Sequence, residues 1–366
     1  MEENETNLRQ LDFAAIDAIR ELLVEAPEER RMGSEWVRWG TRNTFPQYID
    51  DLSRTTPTLR VVILGLVDYI CGDGVTATHG LSGRESGAFD RRGTLAADLV
   101  RKTAESIARW GGFAWKITLN NDLATVGEIE VIPLKYLRAD EDEARFWYSE
   151  KWGKSDNGRV VYDRWIPGTT KAETIFYCKL WGDGIYPEPI VTAVIKDCET
   201  ERGISDYHLG NIVRGFMPSF IVNFNNGANP TDKEKTETEK NFTRKFGGAK
   251  NAGRIAFSWN PNVQGRTTFE KMDTADFADK YQALSRHCRQ QIFAAYRANP
   301  NLFGLASEQQ TGFNSEEYDS AFTLFNRTMV KPIQARIIDA MEKVTGEKGI
   351  ITISPFTLDG AEQEVR

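Results

Sequence analysis

Near the start of the chain the apolar residues fall at helical spacing. Leu8, Leu11, Ile16, Ile19, Leu22 and Leu23 recur three or four positions apart, the pattern of an amphipathic helix over 8–25. A polar stretch bearing tryptophans follows from Glu35 to Asn43, then Pro46-Gln-Tyr-Ile-Asp-Asp-Leu. Pro57 opens a second helix, in whose first turn a missing N–H costs nothing. Leu59, Ile63, Leu66, Val67 and Ile70 carry its stripe until Gly72-Asp-Gly74. Residues 75–92 are rich in Gly, Ser and Thr and read as a mobile loop. A third helix over about 93–110 ends at Gly111-Gly112. The period then drops to two. Phe113, Trp115, Ile117 and Leu119 alternate with small or polar residues, and Val126 to Ile132 follows an Asn120-Asn-Asp turn, which predicts a hairpin. Further strands are expected at Phe146–Glu150, Arg159–Ile166 and Glu173–Leu180, so that an α+β domain reaches to about 187.

Beyond Pro187 and Pro189 a long helix is expected over 189–216, weakened by Gly203 and Gly210. Residues 225–255 are polar and charged, which fits a small excursion of one short helix (231–246) and one strand (Arg254–Trp259). Asp273 or Thr274 caps a helix reaching to about 297, with Phe277, Tyr281, Leu284, Cys288 and Ile292 on its stripe. Asn314 and Glu317 then make a capping-box-like start. The stripe Tyr318, Phe322, Phe325, Met329, Ile333, Ile337, Met341, Val344 is the strongest periodic signal in the chain. Pro332 lies inside it and should kink that helix, because its ring strikes the preceding turn. A strand over 349–353 and a short polar tail follow.

At 366 residues the chain has room for two or three domains, or for one elongated subunit that becomes compact only in an assembly. With 40% hydrophobic and 27% charged residues it is a folding sequence. Nine tryptophans and twenty phenylalanines suggest large buried contacts, between subunits as well as within one. The net charge of −7 speaks against tight wrapping of DNA, which needs phosphate-neutralising Lys and Arg. An acidic wall past which DNA slides stays open, as does a plain solubility role. The N-terminal Met1-Glu-Glu-Asn-Glu-Thr lacks an apolar signal core and no apolar run nears a membrane span, so the expectation is a chain made and kept in the cytosol.

No catalytic constellation emerges. Cys71, Cys178, Cys198 and Cys288 are far apart, as are His79, His208 and His287, and neither a zinc site nor a disulfide framework is suggested. Gly153-Lys154-Ser155 echoes a phosphate loop, but Tyr148 stands where the first glycine belongs. Gly72-Asp-Gly74 ends a helix where a dinucleotide fingerprint would start one, and so reads as a C-terminal cap. There is no G-x-S-x-G and no H-E-x-x-H. The acidic run Asp140-Glu-Asp-Glu-Ala reads as a solvated turn rather than a metal site. No cofactor, no metal and no enzymatic activity are expected.

From about residue 35 to 350 the order of features resembles the tailed-bacteriophage portal family of the lambdoid and prophage type. The early marker is Trp39-Gly-Thr-Arg-Asn43-Thr-Phe-Pro46-Gln-Tyr48, then Ser53-Arg-Thr-Thr-Pro57 and Tyr69-Ile-Cys-Gly72-Asp-Gly74. The central one is Gly215-Phe216-Met-Pro218-Ser219-Phe220-Ile221, leading into a strand. The most specific is Phe246-Gly-Gly-Ala-Lys250-Asn251-Ala-Gly253-Arg254, followed by Asp276-Phe277 and a helix ending Tyr296-Arg-Ala-Asn299-Pro300-Asn-Leu302-Phe303-Gly304. After it come Asn314-Ser-Glu-Glu and Val330-Lys331-Pro332. Ala298 departs from the valine frequent before this Asn-Pro in relatives, and the chain stops soon after Ile353.

The resemblance implies an α+β portal-type subunit with an α+β wing, two long stem helices, a small α/β clip, a kinked long helix and little or no crown. Carried onto this sequence, the wing takes 1–187 and 314–352, the stem helices 188–216 and 274–297, the clip 217–273, the tunnel loop 298–313 and a reduced crown 353–366. A ring of about twelve copies is implied, in the virion at the capsid portal vertex and assembled in the host bacterial cytoplasm. Its implied partners are a terminase motor, the major capsid or scaffold protein, a head–tail adaptor and double-stranded DNA passing non-specifically, with no membrane. In the tunnel loop, Asn299, Asn301, Ser307, Gln309, Gln310 and Thr311 could touch a passing phosphate backbone without holding it. In the clip, Lys233, Lys235, Lys240, Arg244, Lys245, Lys250 and Arg254 form a basic cluster diluted by acids, which either meets DNA or the adaptor or is a solvated helix face. A portal-like ring of a defective prophage or gene-transfer particle is the nearest alternative. An enzyme acting on carbohydrate or nucleic acid and a tail or baseplate component are more distant ones.

Overall fold

The computed structural model describes residues 29–30, 35–81, 88–152, 159–213, 220–224, 230–246, 255–259, 268–271, 277–305 and 315–357. The chain divides into two compact units: Met1–Cys198 with Gln291–Arg366, and Glu199–Gln290, which is inserted in the first. The amphipathic pattern over 8–25 lies outside the described residues.

The first unit opens with a two-residue ladder between β1 (Glu29–Arg30) and β2 (Arg38–Trp39). Helices α1 (Phe45–Thr55) and α2 (Pro57–Cys71) follow. Pro46 and Pro57 stand in their first turns, where the absent N–H has no intrahelical acceptor to lose. Helix α2 ends at Gly72, whose φ is +60°, and a Cβ there would lie 1.9 Å from the Ser354 carbonyl oxygen. Glycine alone meets both demands. Residues 75–92, expected to be a loop, are not all loop: Gly74–Ala77 is a strand, β3. Its partner is the last strand of the chain, so no local pattern could show the pairing. Helix α3 (Ala96–Trp110) packs on both earlier helices and stops at Gly111 in the left-handed conformation.

Strands β4 (Gly112–Leu119), β5 (Val126–Ile132), β6 (Leu137–Ala139), β7 (Arg145–Tyr148), β8 (Val160–Arg164) and β9 (Glu173–Lys179) form one six-stranded sheet in the order β5-β4-β9-β8-β7-β6. The predicted hairpin is the antiparallel β4–β5 pair; only β8 and β9 run parallel. Period two explains the layering. Phe113, Trp115 and Ile117 are fully buried, and the Trp115 indole N–H donates to Thr103 Oγ1 of α3 at 2.9 Å. Between them Lys116 pairs with Glu130 and Glu173 on the flanking strands.

After β9 a 3₁₀ turn (Ile190–Val194) precedes α4 (Ile195–Val213), so the helix expected from 189 begins later, behind two prolines. Within the second unit β10 (Phe220–Phe224) is central: α5 (Asp232–Phe246) crosses over to β11 (Ile255–Trp259), which pairs with β10 in parallel, and β12 (Thr268–Lys271) pairs antiparallel on the other side. Parallel neighbours need such a crossover. Strand β12 is not among the predicted elements. Phe224 and Trp259, register partners, stack at 4.2 Å between ring centroids. Helix α6 (Phe277–Ala295) closes the unit, and its Tyr281 meets Tyr207 of α4 at 4.7 Å. The Asp273/Thr274 cap lies outside the described residues.

Back in the first unit come a 3₁₀ turn (Pro300–Phe303), α7 (Ser315–Phe325), a π-helical turn (Asn326–Val330), α8 (Lys331–Thr345) and β13 (Ile351–Ser354), which pairs with β3. Pro332 sits in the first turn of α8. The wider π turn ahead of it spares the carbonyl that its ring would strike in an unbroken α-helix. Met329, Ile333, Ile337, Met341 and Val344 of the predicted stripe are buried, with α8 against α2 and α3.

Candidate functional site

The segment expected to line a channel is rooted rigidly. Arg297 takes a φ of +52° just past α6. The Asn299 side chain then accepts from the Asn301 N–H at 3.0 Å, capping the turn 300–303, so its amide oxygen is engaged within the chain. Tyr69 of α2 donates its hydroxyl to the Leu302 carbonyl at 2.8 Å. The Phe303 ring packs edge-on against Tyr69, Phe293 and Phe325, over Gly65, where a Cβ would fall 2.3 Å from it. Burial pushes the Tyr69 phenol well above its ordinary pKa, so it remains a donor throughout the physiological range. Ser307, Gln309, Gln310 and Thr311 lie outside the described residues.

Of the basic cluster, Lys233, Lys235, Lys240, Arg244 and Lys245 share α5, whereas Lys250 and Arg254 lie outside the described residues. The helix starts on a reciprocal cap: Thr231 donates its N–H and hydroxyl to the Glu234 carboxylate, each at 2.8 Å. Those donors hold the Glu234 carboxyl below its ordinary pKa. Lys233 and Lys240, seven residues apart, fall on one helix face, while Lys235 sits 3.4 Å from Asp232. The exposed charges are of both signs.

The acidic run 140–143 is indeed a turn, but its carboxylates are used. Asp140 Oδ1 accepts from the Ala144 and Arg145 N–H groups at 2.7 and 3.1 Å. Glu143, at φ +51°, turns inward: its carboxylate takes Arg164 Nη1 at 2.9 Å and Lys179 Nζ, and its side chain is 16% exposed. Among the described residues no group of three or more His, Cys, Asp or Glu side chains is placed to hold a metal ion, and no helix is long and apolar enough to cross a membrane.

No family model and no curated protein matches the chain. Among solved structures it is similar to a chain from the neck of a native gene transfer agent particle, computed with C12 symmetry. Identity is 16% and the TM-score 0.55, over 87% of this chain and 86% of that one. A chain of a native gene transfer agent virion matches at 15% identity and TM-score 0.53, over 86% and 84%. The chain has the fold of these gene transfer agent chains. An HK97-family phage portal protein from Corynebacterium diphtheriae aligns over 81% of this chain and 90% of its own, at 11% identity and a TM-score of 0.47, below what identifies a shared fold.

Among the described residues one buried polar site is one that sequence reasoning passed over. Arg138, on the edge strand β6, has no exposed surface. Its guanidinium donates to the carbonyls of Asn43 and Leu137, both at 2.6 Å, and to the Asn43 and Gln47 side chains, and it lies over Trp152 at 4.7 Å. Asn43, at φ +62°, also accepts from the Trp39 N–H at 3.0 Å. Within the early marker Trp39 to Tyr48, the turn at Asn43 thus receives an arginine 95 residues on.

Proposed function

We propose that the chain is a portal protein, one subunit of a ring of about twelve copies at a capsid vertex through which double-stranded DNA is packaged and ejected. The ring docks a terminase motor, a capsid or scaffold protein and a head–tail adaptor; it assembles in the bacterial cytoplasm and ends in the virion. The chain itself makes and breaks no bond. One observation carries this reading: over 87% of its length the chain shares its fold with a neck chain computed with C12 symmetry. The order of sequence markers from Trp39 to Pro332 supports it independently.

On this reading 1–187 and 314–352 are wing, 188–216 and 274–297 the stem, 217–273 the clip and 298–313 the tunnel loop. The division of the chain at Cys198/Glu199 and Gln290/Gln291, each inside a long helix, supports that partition. The hydrogen bonds at 299–303 support a fixed starting point for the tunnel-loop segment. A second reading keeps the ring and changes the particle. The similar chains come from gene transfer agent particles, so this ring would sit in such a particle rather than in a phage head. Sequencing the DNA packaged in particles that contain the chain separates the two.

The test of the ring itself is light scattering on the purified chain. A mass about twelve times the 41.4 kDa protomer, give or take one or two copies, is expected; a stable monomer at packaging-like salt and concentration contradicts it.

A further inference from the structure

Two adjoining clefts, of about 420 and 570 Å³, run along the outer face of α8 and share Arg336 and Asp339. Both lie wholly in the first unit. Their walls mix polar and apolar surface, the apolar part coming from Trp165 and Ile166 in the first and Trp181 and Pro332 in the second. Ile166 is 58% exposed at the lip, a large aliphatic side chain left in water. The charged groups are of one prevailing sign. Arg164, Lys179, Arg297, Arg336 and Lys343 face Glu143 and Asp339, an excess of three positive groups in a chain whose net charge is −7. Glu143 is already held between Arg164 and Lys179, which leaves Arg297, Arg336 and Lys343, all exposed, against Asp339.

We infer that this basic groove along α8, with exposed apolar side chains in its wall, is the seat for an acidic surface of the next copy of the chain. The inference rests on the ring reading above. A ring of identical subunits is closed by head-to-tail contacts between two different patches, so each subunit must carry one surface that its remaining surface complements. A basic groove on an acidic protein meets that condition: once the groove is set aside, the rest of a second copy is more negative than the whole. Duplex DNA also seeks positive charge, but its phosphates are met by Lys, Arg and backbone N–H groups and make no use of a tryptophan-lined apolar wall. Exposed apolar side chains beside charged groups are what a protein–protein contact covers.

Two full-length variants test this, Arg336→Glu/Lys343→Glu and Ile166→Ser, each read by light scattering across a dilution series beside the unaltered chain. The altered side chains face solvent, so both variants should melt with the parent; where one does not, the other decides. The expected result is a shift of at least about tenfold in the concentration at which half the chains are in rings, or monomers throughout. Rings of unchanged mass and unchanged dilution behaviour overturn the groove as the contact and leave the ring reading intact. A parent chain that is itself monomeric overturns both. A fluorescent duplex is the third probe: loss of its binding in variants whose rings persist makes the groove a DNA surface and overturns the inference.

Discussion

Replacing Arg138 tests the idea that the turn at Asn43 is held from within by a buried cation. The guanidinium reaches two backbone carbonyls at 2.6 Å, a third at 3.3 Å from Lys135, and two side-chain amides. Arg138→Met keeps most of the volume and removes every donor. Each buried carbonyl left without one costs about 1–3 kcal/mol, and relief from desolvating the charge returns part of that. The net expected loss is about 3–5 kcal/mol. Arg138→Lys keeps the charge but not the planar fork, so it should recover less than half of the loss. Chemical denaturation followed by tryptophan fluorescence is the assay, because Trp152 lies against the guanidinium with Trp36 edge-on to it, and both report the opening of the site. Only the first transition should move, since the two units need not unfold together. A loss under about 1 kcal/mol for Arg138→Met, with an unchanged denaturant slope, would refute the account.

Three smaller perturbations follow from the geometry. Tyr69→Phe leaves the Leu302 carbonyl without its donor and should cost about 1–2 kcal/mol; calorimetry that shows no shift removes the hydroxyl from the loop root. Glu143→Ala strands Arg164 and Lys179 and should destabilise by about 1–2 kcal/mol, whereas Asp142→Ala on the same turn should stay within about 0.5; equal effects would return the whole run to a solvated turn. Gln309→Lys/Gln310→Lys should leave assembly intact while impairing packaging or retention of DNA, measured as packaged genome length; an unchanged length removes these residues from the channel.

Elements whose pattern is complete within a short window were legible in the sequence. Helix α2 announces itself through Pro57, its apolar stripe and Gly72, and the β4–β5 hairpin through alternation on either side of a polar turn. What escaped depends on distant partners. Strand β3 looks like a glycine-rich loop because half of its ladder is β13, at the other end of the chain. Strand β6 has three residues, too few for a period. Helix α1 was not among the predicted elements, although Ile49 and Leu52 give it a buried face. Pro332 marked the right place in the last long helix, yet the π turn that accommodates it has no sequence signature of its own.

The site was legible in outline only. Asn299 and Asn301 were expected as polar residues of the tunnel loop, and the structure gives Asn299 the local duty of capping a turn. Glu143 looked like one more acid in a charged run until the fold brought Arg164 and Lys179 to it. Arg138 carried no signal at all, since nothing in a sequence distinguishes a buried arginine from a solvated one. Five residues of the expected basic cluster share α5, where acids interleave with them.

The account stands on many copies closing around an opening. Averaged electron micrographs of the purified chain, viewed down the particle axis, test that most directly. Closed rings of about twelve-fold symmetry with a central hole wide enough for duplex DNA are predicted. Discrete monomers, or open filaments with no closed ring, would contradict it.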